Sequence, residues 1–264
     1  MIRQSVVEML IEAKSGHLAG SLGMADIFAY LYFQGLRQDP DKPDWEYRDR
    51  LVLSNGHICP ALYAAMAHSG YFSLKELKTL RRLGSPLQGH PHRQWLPALE
   101  TSSGPLGSGL SQAVGMALAE KMDGKNQIGR RIYCLMSDGE LDEGNSWEAL
   151  MLAGRERLPN ITVVIDRNGI QIDGKTEEVM PLQPLVEKLK AFNWRVEDID
   201  GHSFHDIDRA FVAAKGTTDR PTAIIANTIP SKGIPEFEGK FEWHGRVPLT
   251  ADEIAVARMA VGIM

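Results

Sequence analysis

The chain has 264 residues, of which 43% are apolar and 24% are charged, an ordinary composition for a globular protein with a large buried core. Its formal net charge of −5 argues against nucleic acid or an anionic membrane as a partner. The two cysteines are too few for a disulfide framework or a cysteine zinc site, and no apolar run approaches the ~20 residues of a membrane-spanning helix. We therefore expect a cytoplasmic protein that carries no signal peptide, and its length allows one large α/β domain or two small ones.

The first part of the chain predicts helices separated by glycine-rich turns. Apolar residues at helical spacing predict a helix from Ile2 to Ala13 and another from Met24 to Phe33, and residues 14–23 between them are typical of a glycine-punctuated loop. Residues 48–57 predict a short strand and a turn, with a helix from Pro60 to Ala67 behind them. The loop and the turn each carry one histidine, and a lone histidine in such a place is more often structural than functional.

Two polar motifs follow in the next part. Ser73 and Glu76 form the capping-box pattern of a short helix. Gly89-His-Pro-His92 contains two histidines, but no further metal ligand lies nearby in sequence, so the motif alone does not indicate a metal site. Residues 102–111 lead into a helix from Gln112 to Lys121. The glycine pair inside them lacks the preceding strand and the third glycine of a dinucleotide-binding fingerprint.

The stretch from 132 to 170 carries the clearest functional pattern. Apolar runs at 132–136 and 161–165 predict two buried strands, and residues 143–156 between them predict a helix. Asp138 follows the first strand and Asn168 follows the second, so a β-α-β unit brings both to one sheet edge, where α/β proteins bind ligands. Their side-chain oxygens suit a Mg²⁺ ion that also holds phosphate oxygens. Taken singly, Asp-Gly and Asn-Gly are ordinary turn dipeptides.

The last part of the chain continues the α/β pattern. We predict a helix from Leu185 to Phe192, a strand from Trp194 to Ile199 and a strand from Thr222 to Ala226. Ser203 is expected to cap a helix that turns Phe204, Ile207 and Phe211 inward. Residues 228–245 then form a long irregular segment with three glycines and two prolines, and a segment of this length usually either has a functional role or is disordered. Thr250 and Glu253 are expected to cap a final helix.

The pattern around Asp138 and Asn168 resembles the thiamine diphosphate motif in its transketolase version. In that family the first strand ends in Gly-Asp-Gly, a Glu-Gly pair follows, and the second strand ends in Asp-x-Asn-x-Ile. The resemblance assigns Mg²⁺ to Asp138, the Asn168 side chain and the Ile170 backbone carbonyl. The residues themselves indicate where the diphosphate lies, because Gly139 lets the backbone come close to it and the helix start beyond favours anions. The first glycine of the motif is Ser137 here. The implied fold is a three-layer α/β/α domain with a mostly parallel sheet, the diphosphate-binding domain of the thiamine diphosphate fold, over residues 1–264.

Other stretches resemble the same family and extend the implied site. Lys-Ser-Gly-His17, Gly-His90-Pro and Trp-His244-Gly match segments whose histidines contact substrate or the reactive part of the cofactor, so these three are the implied catalytic residues. The implied cofactor-binding residues are His57 for the diphosphate, Gly104, Pro105 and Leu106 for the aminopyrimidine, His244, and Glu143 as a link between paired sites. Residues 228–249 become an active-site loop. Leu18 replaces the family's proline, and His92 replaces an acidic residue.

The resemblance covers only the diphosphate-binding half of a transketolase. It implies the N-terminal subunit of a two-subunit enzyme that transfers a two-carbon ketol unit between sugar phosphates with thiamine diphosphate and Mg²⁺. A separate C-terminal subunit would supply the pyrimidine-binding domain, with two copies of each chain in the assembly. Three alternatives remain: a transketolase-like enzyme with a non-standard sugar, another thiamine diphosphate enzyme such as a deoxyxylulose-phosphate synthase or a dehydrogenase subunit, and a non-catalytic cofactor-binding module. A nucleotide-binding Rossmann protein is disfavoured, because neither its fingerprint nor a P-loop is present.

Overall fold

A five-stranded parallel sheet forms the centre of the part of the chain that the computed structural model describes, residues 1–124 and 129–263. Its strands lie in the order β1-β2-β3-β7-β6, and every neighbouring pair is parallel. A separate antiparallel pair, β4 with β5, follows β3. The bounds of the strands are β1 Arg50–Leu53, β2 Ile132–Ser137, β3 Ile161–Arg167, β4 Ile170–Gln171, β5 Gly174–Lys175, β6 Arg195–Asp200 and β7 Thr222–Asn227.

Helices cover both faces of the sheet. Their bounds are α1 Ile2–Ala13, α2 Leu18–Gly23, α3 Ala25–Tyr30, α4 Cys59–His68, α5 Ser108–Met122, α6 Gly144–Arg155, α7 Thr176–Val179, α8 Leu185–Ala191, α9 Phe204–Gly216 and α10 Ala251–Ala260. A π-helical segment, Leu31–Gly35, extends α3, and 3₁₀ turns lie at Gly56–Ile58, Leu74–Thr79, Gly139–Asp142 and Phe241–Trp243. Among residues 1–124 and 129–263, no helix combines the length and the apolar character needed to cross a membrane.

The sheet separates two hydrophobic cores, and alternate residues of one strand face opposite cores. In β2, Tyr133 and Leu135 pack into the core formed with α1 to α4 and α9. Cys134 and Met136 pack into the core formed with α5, α6 and α8. Because β2 is fully buried on both faces, its sequence is a continuous apolar run rather than an alternating one. The predicted three-layer α/β/α architecture with a parallel sheet is therefore confirmed.

Most of the predicted elements are present within a few residues of their predicted ends, and three predictions are corrected. The glycine-rich loop at 14–23 contains a buried helix, α2, because Leu18 occupies its first position and its glycines pack tightly. Ser73 does not form a capping box: its hydroxyl accepts the Lys75 N–H, and the segment that follows is 3₁₀. Phe204 is 52% exposed rather than inward, whereas Ile207 and Phe211 are buried as expected. Thr250 and Glu253 do form a capping box.

The carboxyl ends of four strands of the sheet meet at one edge. β1 leads into residues 54–57, β2 into Asp138, β3 into Asn168 and β7 into Thr228. The parallel register pairs Ser137 with Asp166, so the residues that follow these two strands lie side by side. The topology alone thus brings the main polar motifs of the sequence to one place.

A very close helix–loop contact on one side of the sheet involves Gly154 in α6. A Cβ atom built on Gly154 would lie 1.8 Å from the backbone carbonyl oxygen of Phe192. We expect Gly154→Ala to destabilise the chain by about 3 kcal/mol, since the backbone of the 192–194 turn must move to admit one methyl group. Urea unfolding followed by circular dichroism measures this change. The control is Gly144→Ala in the same helix, where nothing lies within 4 Å; equal losses for the two variants would contradict the packing argument.

Candidate active site

Asp138 is fully buried at the end of β2, and its two carboxylate oxygens have different surroundings. Oδ2 accepts hydrogen bonds from Arg167 Nη1 at 2.7 Å, from the Gly169 N–H at 2.8 Å and from the Thr176 hydroxyl at 3.2 Å. Among the described residues, Oδ1 accepts from the Gly139 N–H alone, at 2.9 Å. Oδ2 is therefore saturated by protein donors, and Oδ1 retains lone-pair capacity for a cation.

Asn168 lies beside this carboxylate in a fixed orientation. Its Nδ2 donates to Asp166 Oδ2 at 2.8 Å, and its Oδ1 accepts the Ile170 N–H at 3.0 Å. Ile170 begins β4, and its pairing with Lys175 holds the backbone that follows. The donor arrangement directs the amide nitrogen towards Asp166, which leaves the amide oxygen as the possible metal ligand.

This donor set fits a Mg²⁺ ion that takes about half of its six ligands from water and phosphate oxygens. Within residues 1–124 and 129–263, no cluster of three or more His, Cys, Asp or Glu side chains could hold a metal on its own. One carboxylate oxygen, one amide oxygen and a backbone carbonyl provide three hard oxygen ligands, and Mg²⁺ commonly completes its octahedron with water and phosphate oxygens.

Burial is the largest influence on the pKa values of the two carboxylates at this sheet edge, Asp138 and Asp166. Burial raises the pKa of Asp138, and the hydrogen bonds from Gly169 and the Arg167 charge partly oppose it. Burial raises the pKa of Asp166 to about 7, against the hydrogen bonds from Thr228 and Asn168. Arg167 also pairs with Glu177, so it bridges the motif to α7. A cation bound at Asp138 would favour the charged carboxylate.

Three of the predicted histidines form one cluster. The ring centroids of His17 and His57 are 4.9 Å apart, those of His57 and His244 are 5.3 Å apart, and those of His17 and His244 are 5.7 Å apart. Nδ1 of His17 and Nδ1 of His244 are buried and have no hydrogen-bond partner among the described residues. Because buried polar atoms are normally paired, these atoms fit a bound ligand that supplies the missing partners.

The pKa values of these imidazoles are all low. Burial, helped by His244, Arg81 and His90, lowers the pKa of His17 to about 4. Burial, with the neighbouring histidines, puts the pKa of His57 well below its usual range, and burial also lowers the pKa of His244. The cluster is therefore neutral at pH 7, and each ring can both donate and accept a hydrogen bond.

His17 is positioned by the helix that the sequence did not predict. It is the N-cap of α2, with an extended backbone, and its carbonyl accepts the Ser21 hydroxyl at 2.7 Å. Leu18 takes the first helical position, where proline is also well tolerated, so replacing the family's proline leaves a helix in place. Gly20 of the same helix packs against Ile58, which brings α2 onto the segment that carries His57.

His90 lies on an exposed turn beside the cluster. A Cβ built on Gly56 would be 3.2 Å from His90 Cδ2, so this turn packs against the segment after β1. Ser103 joins the two: its N–H donates to the Pro91 carbonyl at 2.9 Å, and its hydroxyl donates to the Leu53 carbonyl. The next residues, Gly104, Pro105 and Leu106, are partly or fully exposed, so they lie open at the same edge.

Sequence reasoning missed Glu140, which connects three parts of the site. This fully buried carboxylate accepts from the Ser54 hydroxyl, from the Gly107 N–H at 2.6 Å and from the Ser137 N–H at 3.2 Å. In the chain, Ser54 lies shortly before His57, Gly107 directly after Leu106, and Ser137 directly before Asp138. No local pattern marks such a residue, because two of its partners lie 86 and 33 positions away. By contrast Glu143, the N-cap of α6, is exposed.

The loop at 228–249 is held to the site at several points. The Thr228 hydroxyl donates to Asp166, and the Ile229 N–H donates to His202 Nε2 at 2.8 Å. The Ser231 N–H donates to the Ala19 carbonyl at 2.9 Å. At the other end, a Cβ built on Gly245 would lie 3.7 Å from His17 Nε2. These contacts bring His244 to His17 and His57.

The low pKa of His17 makes stability depend on pH. Because the folded-state pKa of about 4 lies below the usual value of 6.5, the unfolded chain binds more protons between these pH values. The stability contributed by the neutral imidazole is fully present above pH 6.5 and is lost as the pH falls towards 4. We expect the free energy of unfolding of the ligand-free chain to fall by about 2–3 kcal/mol from this group.

Urea unfolding at pH 7, 5.5 and 4 measures that loss, with His17→Gln as the comparison. The variant should lose less stability between pH 7 and 4 than the parent chain, because Gln does not titrate. Asp166 also titrates in this range: because its pKa is raised to about 7, its contribution to stability is present at low pH and is lost as the pH rises through about 7. Both proteins share this contribution, so it cancels when the slopes of unfolding free energy against pH are compared. Equal slopes would contradict a neutral, buried His17.

Comparison with known proteins agrees with this geometry. The family model described as transketolase, thiamine diphosphate binding domain, matches residues 1–264. The chain is 44% identical over 244 residues to a 6-deoxy-6-sulfo-D-fructose transketolase subunit of Clostridium sp. (strain MSTE9), with 92% of this chain and 88% of that protein covered. It is 41% identical over 251 residues to an apulose-4-phosphate transketolase subunit of Phocaeicola vulgatus, covering 95% of this chain and 88% of that protein.

Solved structures give the same relationship and also show its extent. The crystal structure of transketolase from Campylobacter jejuni superposes with a TM-score of 0.92 at 38% identity, over 99% of this chain. The match spans only 42% of that longer chain, whereas it spans most of the two subunits named above. The similarity covers fold and sequence together over nearly the whole length. The chain therefore belongs to the transketolase family of enzymes, in which it corresponds to the thiamine diphosphate binding domain.

Proposed function

We propose that this chain is the N-terminal, diphosphate-binding subunit of a two-subunit transketolase that uses thiamine diphosphate and Mg²⁺. The observation that carries the proposal is the meeting of Asp138, Asn168 and the histidine cluster at one sheet edge. A metal-diphosphate anchor and neutral proton-transferring groups are both needed for this chemistry, and here they share one surface. The chain acts as one domain over residues 1–264, with 228–249 as its active-site loop.

The proposed roles follow from the donors that each group offers. Asp138 Oδ1, the Asn168 amide oxygen and the Ile170 carbonyl would hold Mg²⁺, and Gly139 lets the diphosphate approach the backbone. His57 would donate to the diphosphate. The solvent-accessible segment Gly104, Pro105 and Leu106 would support the aminopyrimidine.

When bound, thiamine diphosphate supplies the electron sink that makes breaking a carbon–carbon bond beside a carbonyl feasible. The chain's own contribution is to orient the sugar and to move protons. Neutral His17 and His244 can accept a proton from a sugar hydroxyl at Nδ1 or Nε2, and exposed His90 can donate or accept at the mouth of the site. Because the pKa values of His17 and His244 are low, these rings hold a proton well only when a nearby negative charge or the bound partner chain stabilises the imidazolium.

A separate C-terminal subunit is part of the proposal. The two relatives named as transketolase subunits are covered to 88% by this chain, whereas the single-chain enzyme of Campylobacter jejuni is covered to 42%. That difference supports a partner chain that supplies the pyrimidine-binding domain and the remaining active-site groups, with two copies of each chain in the assembly. Exposed Glu143 would link the paired sites across the interface.

The substrate class follows from the same relatives. One is named for a sulfonated sugar, 6-deoxy-6-sulfo-D-fructose, and the other for a sugar phosphate, apulose-4-phosphate. We propose an anionic ketose as donor and an aldose phosphate as acceptor. A non-standard anionic sugar is the second candidate, favoured by these names.

Purification of the chain from its native lysate tests the proposal. We expect a second polypeptide in stoichiometric amount and ketol transfer that requires thiamine diphosphate and disappears when the second polypeptide is removed. Product analysis with a panel of sugars then identifies the donor. A solitary chain that binds the cofactor and never turns over would reject the two-subunit enzyme and leave a non-catalytic binding module.

A further inference from the structure

Trp243, the residue directly before His244, packs against two other side chains of the loop at 228–249. Its ring is stacked on that of Phe237, with the centroids 3.7 Å apart and the planes inclined by 19°. The guanidinium carbon of Arg246 lies 4.5 Å from the centroid of the same indole, a distance at which a cation is attracted to an aromatic face. We call these three side chains, Phe237, Trp243 and Arg246, the indole stack.

A helix that carries none of the candidate site residues holds one side of the indole stack. Arg246 forms an ion pair with Glu253, which lies in the first turn of α10. Glu253 Oε2 also accepts the N–H of Leu249 at 3.0 Å and that of Thr250 at 3.2 Å. Because the second of these bonds belongs to the capping box of α10, the start of that helix fixes the carboxylate that holds Arg246 at the indole.

Burial and backbone hydrogen bonds hold the other side of the indole stack. Phe237 is 5% exposed and Trp243 is 6% exposed, so both rings belong to the hydrophobic core formed with α1 to α4 and α9. The Phe237 N–H donates to the carbonyl of buried Ile234 at 2.8 Å, and the Trp243 N–H donates to the Lys240 carbonyl at 3.2 Å. The indole therefore has a fixed position relative to the core.

His244 lies next to this fixed indole but has little else to orient it. Its N–H donates to the Phe241 carbonyl at 2.8 Å, which continues the 3₁₀ turn Phe241–Trp243 to the histidine. Nδ1 of its imidazole has no hydrogen-bond partner among the described residues, so no hydrogen bond at that atom sets the position of the ring. The ring centroid nevertheless lies 5.3 Å from that of His57 and 5.7 Å from that of His17. Packing and the backbone beside the indole stack must hold it there.

We propose that Trp243 is a positioning residue that holds the His244 imidazole beside His17 and His57, through the indole stack and the cap of α10. The role of His244 rests on the proposed function, but its position can be measured without turnover. Holding a proton-transferring group in place matters for rate, because a displacement of about 1 Å can cost about 100-fold. The alternative is that Trp243 only stabilises the loop, and the experiments separate the two roles.

Nitrogen-15 NMR of the histidine-labelled chain without cofactor tests the position of His244 directly. The chain has eight histidines, and the His244 signals are identified by their absence in His244→Gln. In Trp243→Leu we expect these signals to shift and the pKa of His244 to rise towards its usual value of 6.5, because part of the burial that lowers this pKa is lost. Trp243→Phe, which can still stack on Phe237, should restore most of the parent behaviour.

Trp45→Leu is the matched control for this measurement. It makes the same change in a partly buried tryptophan of another segment, whose ring lies 6.4 Å from that of Tyr47. It should leave the His244 signals unchanged. Unchanged His244 signals in a folded Trp243→Leu chain would overturn the proposal.

Kinetics of the complex with the partner chain distinguish positioning from general support of the loop. We expect Trp243→Leu to lower kcat about 10- to 100-fold and to change KM little, as when an interaction made in the transition state is lost. In a His244→Gln background the same change should cost little more, since two changes that act through one group are not additive. An equal fall in both backgrounds would show that Trp243 only supports the loop.

Arg246→Gln keeps the proposal testable where Trp243→Leu does not fold. The Arg246 side chain is 47% exposed, so its charge can be removed without opening a cavity in the core. We expect a smaller shift of the His244 signals in the same direction, because the contact with the indole and the ion pair with Glu253 are both lost. Unchanged signals would overturn the route through α10 and, where Trp243→Leu does not fold, the proposal itself.

Arg258→Gln is the control for this second variant, because it breaks an ion pair of the same helix, between Arg258 and Glu8. It should leave the His244 signals unchanged. The NMR result also stays separate from the proposed function. A complex without ketol transfer would reject the two-subunit enzyme, whereas the His244 signals would still decide whether Trp243 positions this ring.

Discussion

Asp138→Asn is expected to weaken Mg²⁺-dependent binding of thiamine diphosphate by about 100-fold or more and to abolish turnover in the assembled enzyme. Oδ2 of Asp138 faces three donors, so the amide oxygen of Asn must take that position and its NH₂ group must point where the cation binds. The ion then loses the carboxylate from its predicted ligand set. Changing an outer-shell partner alone usually costs about 10- to 100-fold in metal affinity, so losing a direct ligand should cost at least as much.

Titration calorimetry of the assembled enzyme with thiamine diphosphate, at fixed Mg²⁺ concentrations, measures this loss. Asp142→Asn is the control, because Asp142 lies in the same 3₁₀ turn but is exposed. We expect that raising the Mg²⁺ concentration partly restores cofactor binding to Asp138→Asn. An unchanged Kd in Asp138→Asn would remove Asp138 from the metal site.

Glu140→Gln is expected to destabilise the ligand-free chain by about 2–4 kcal/mol and to weaken cofactor binding. The carboxylate accepts three hydrogen bonds, from Ser54, Gly107 and Ser137. An amide of the same shape must turn its NH₂ group towards at least one of these donors, in a site without solvent access. A buried donor left without an acceptor costs about 1–3 kcal/mol, and more where a charged acceptor is removed.

Thermal unfolding and cofactor titration of the same samples separate two consequences of this change. Loss of stability measures the buried hydrogen bonds, whereas loss of cofactor affinity reports the alignment of the three segments that Glu140 joins. Glu148→Gln, an exposed position on α6, is the control and should alter neither. A stability loss without any change in cofactor affinity would show that Glu140 supports the fold but does not align the site.

The centre of the fold could be predicted from local sequence. β2 and β3 are continuous apolar runs with a polar residue at the end, and this pattern is typical of strands covered on both faces. The neighbourhood of Asp138 and Asn168 followed from one topological rule, the parallel β-α-β unit, and the register of Ser137 with Asp166 agrees with it. The motifs' resemblance to the transketolase family, rather than the spacing of the residues, predicted that His17, His57 and His244 lie at that edge.

Features that depend on distant contacts could not be predicted. Glu140 looks like any polar residue in a turn, and its role comes from donors in other parts of the chain. The glycines at 16, 20 and 23 indicated a loop, but they permit close packing of this segment against Leu10, Ile58 and Ile229. Phe204 sits at the first position of α9, where helical periodicity does not yet fix a buried face.

Arg167 forms an ion pair with Asp138 that the thiamine diphosphate motif alone does not predict. Its guanidinium bridges Asp138 and Glu177, so a positive charge already lies beside the predicted metal ligand. This pair holds Asp138 Oδ2 in place and leaves Oδ1 to face a bound cation. The ligand-free chain therefore keeps the carboxylate oriented, which reduces the rearrangement required when cofactor and metal bind.

Reconstitution from separately purified chains tests whether this chain is one subunit of a two-subunit transketolase. Ketol transfer is measured while the partner chain is titrated into a fixed concentration of this chain with saturating thiamine diphosphate and Mg²⁺. We expect no turnover without the partner, a rise that saturates at equal molar amounts, and no turnover with Asp138→Asn at any ratio. Full activity of this chain alone, or activity that is unchanged by Asp138→Asn, would contradict it.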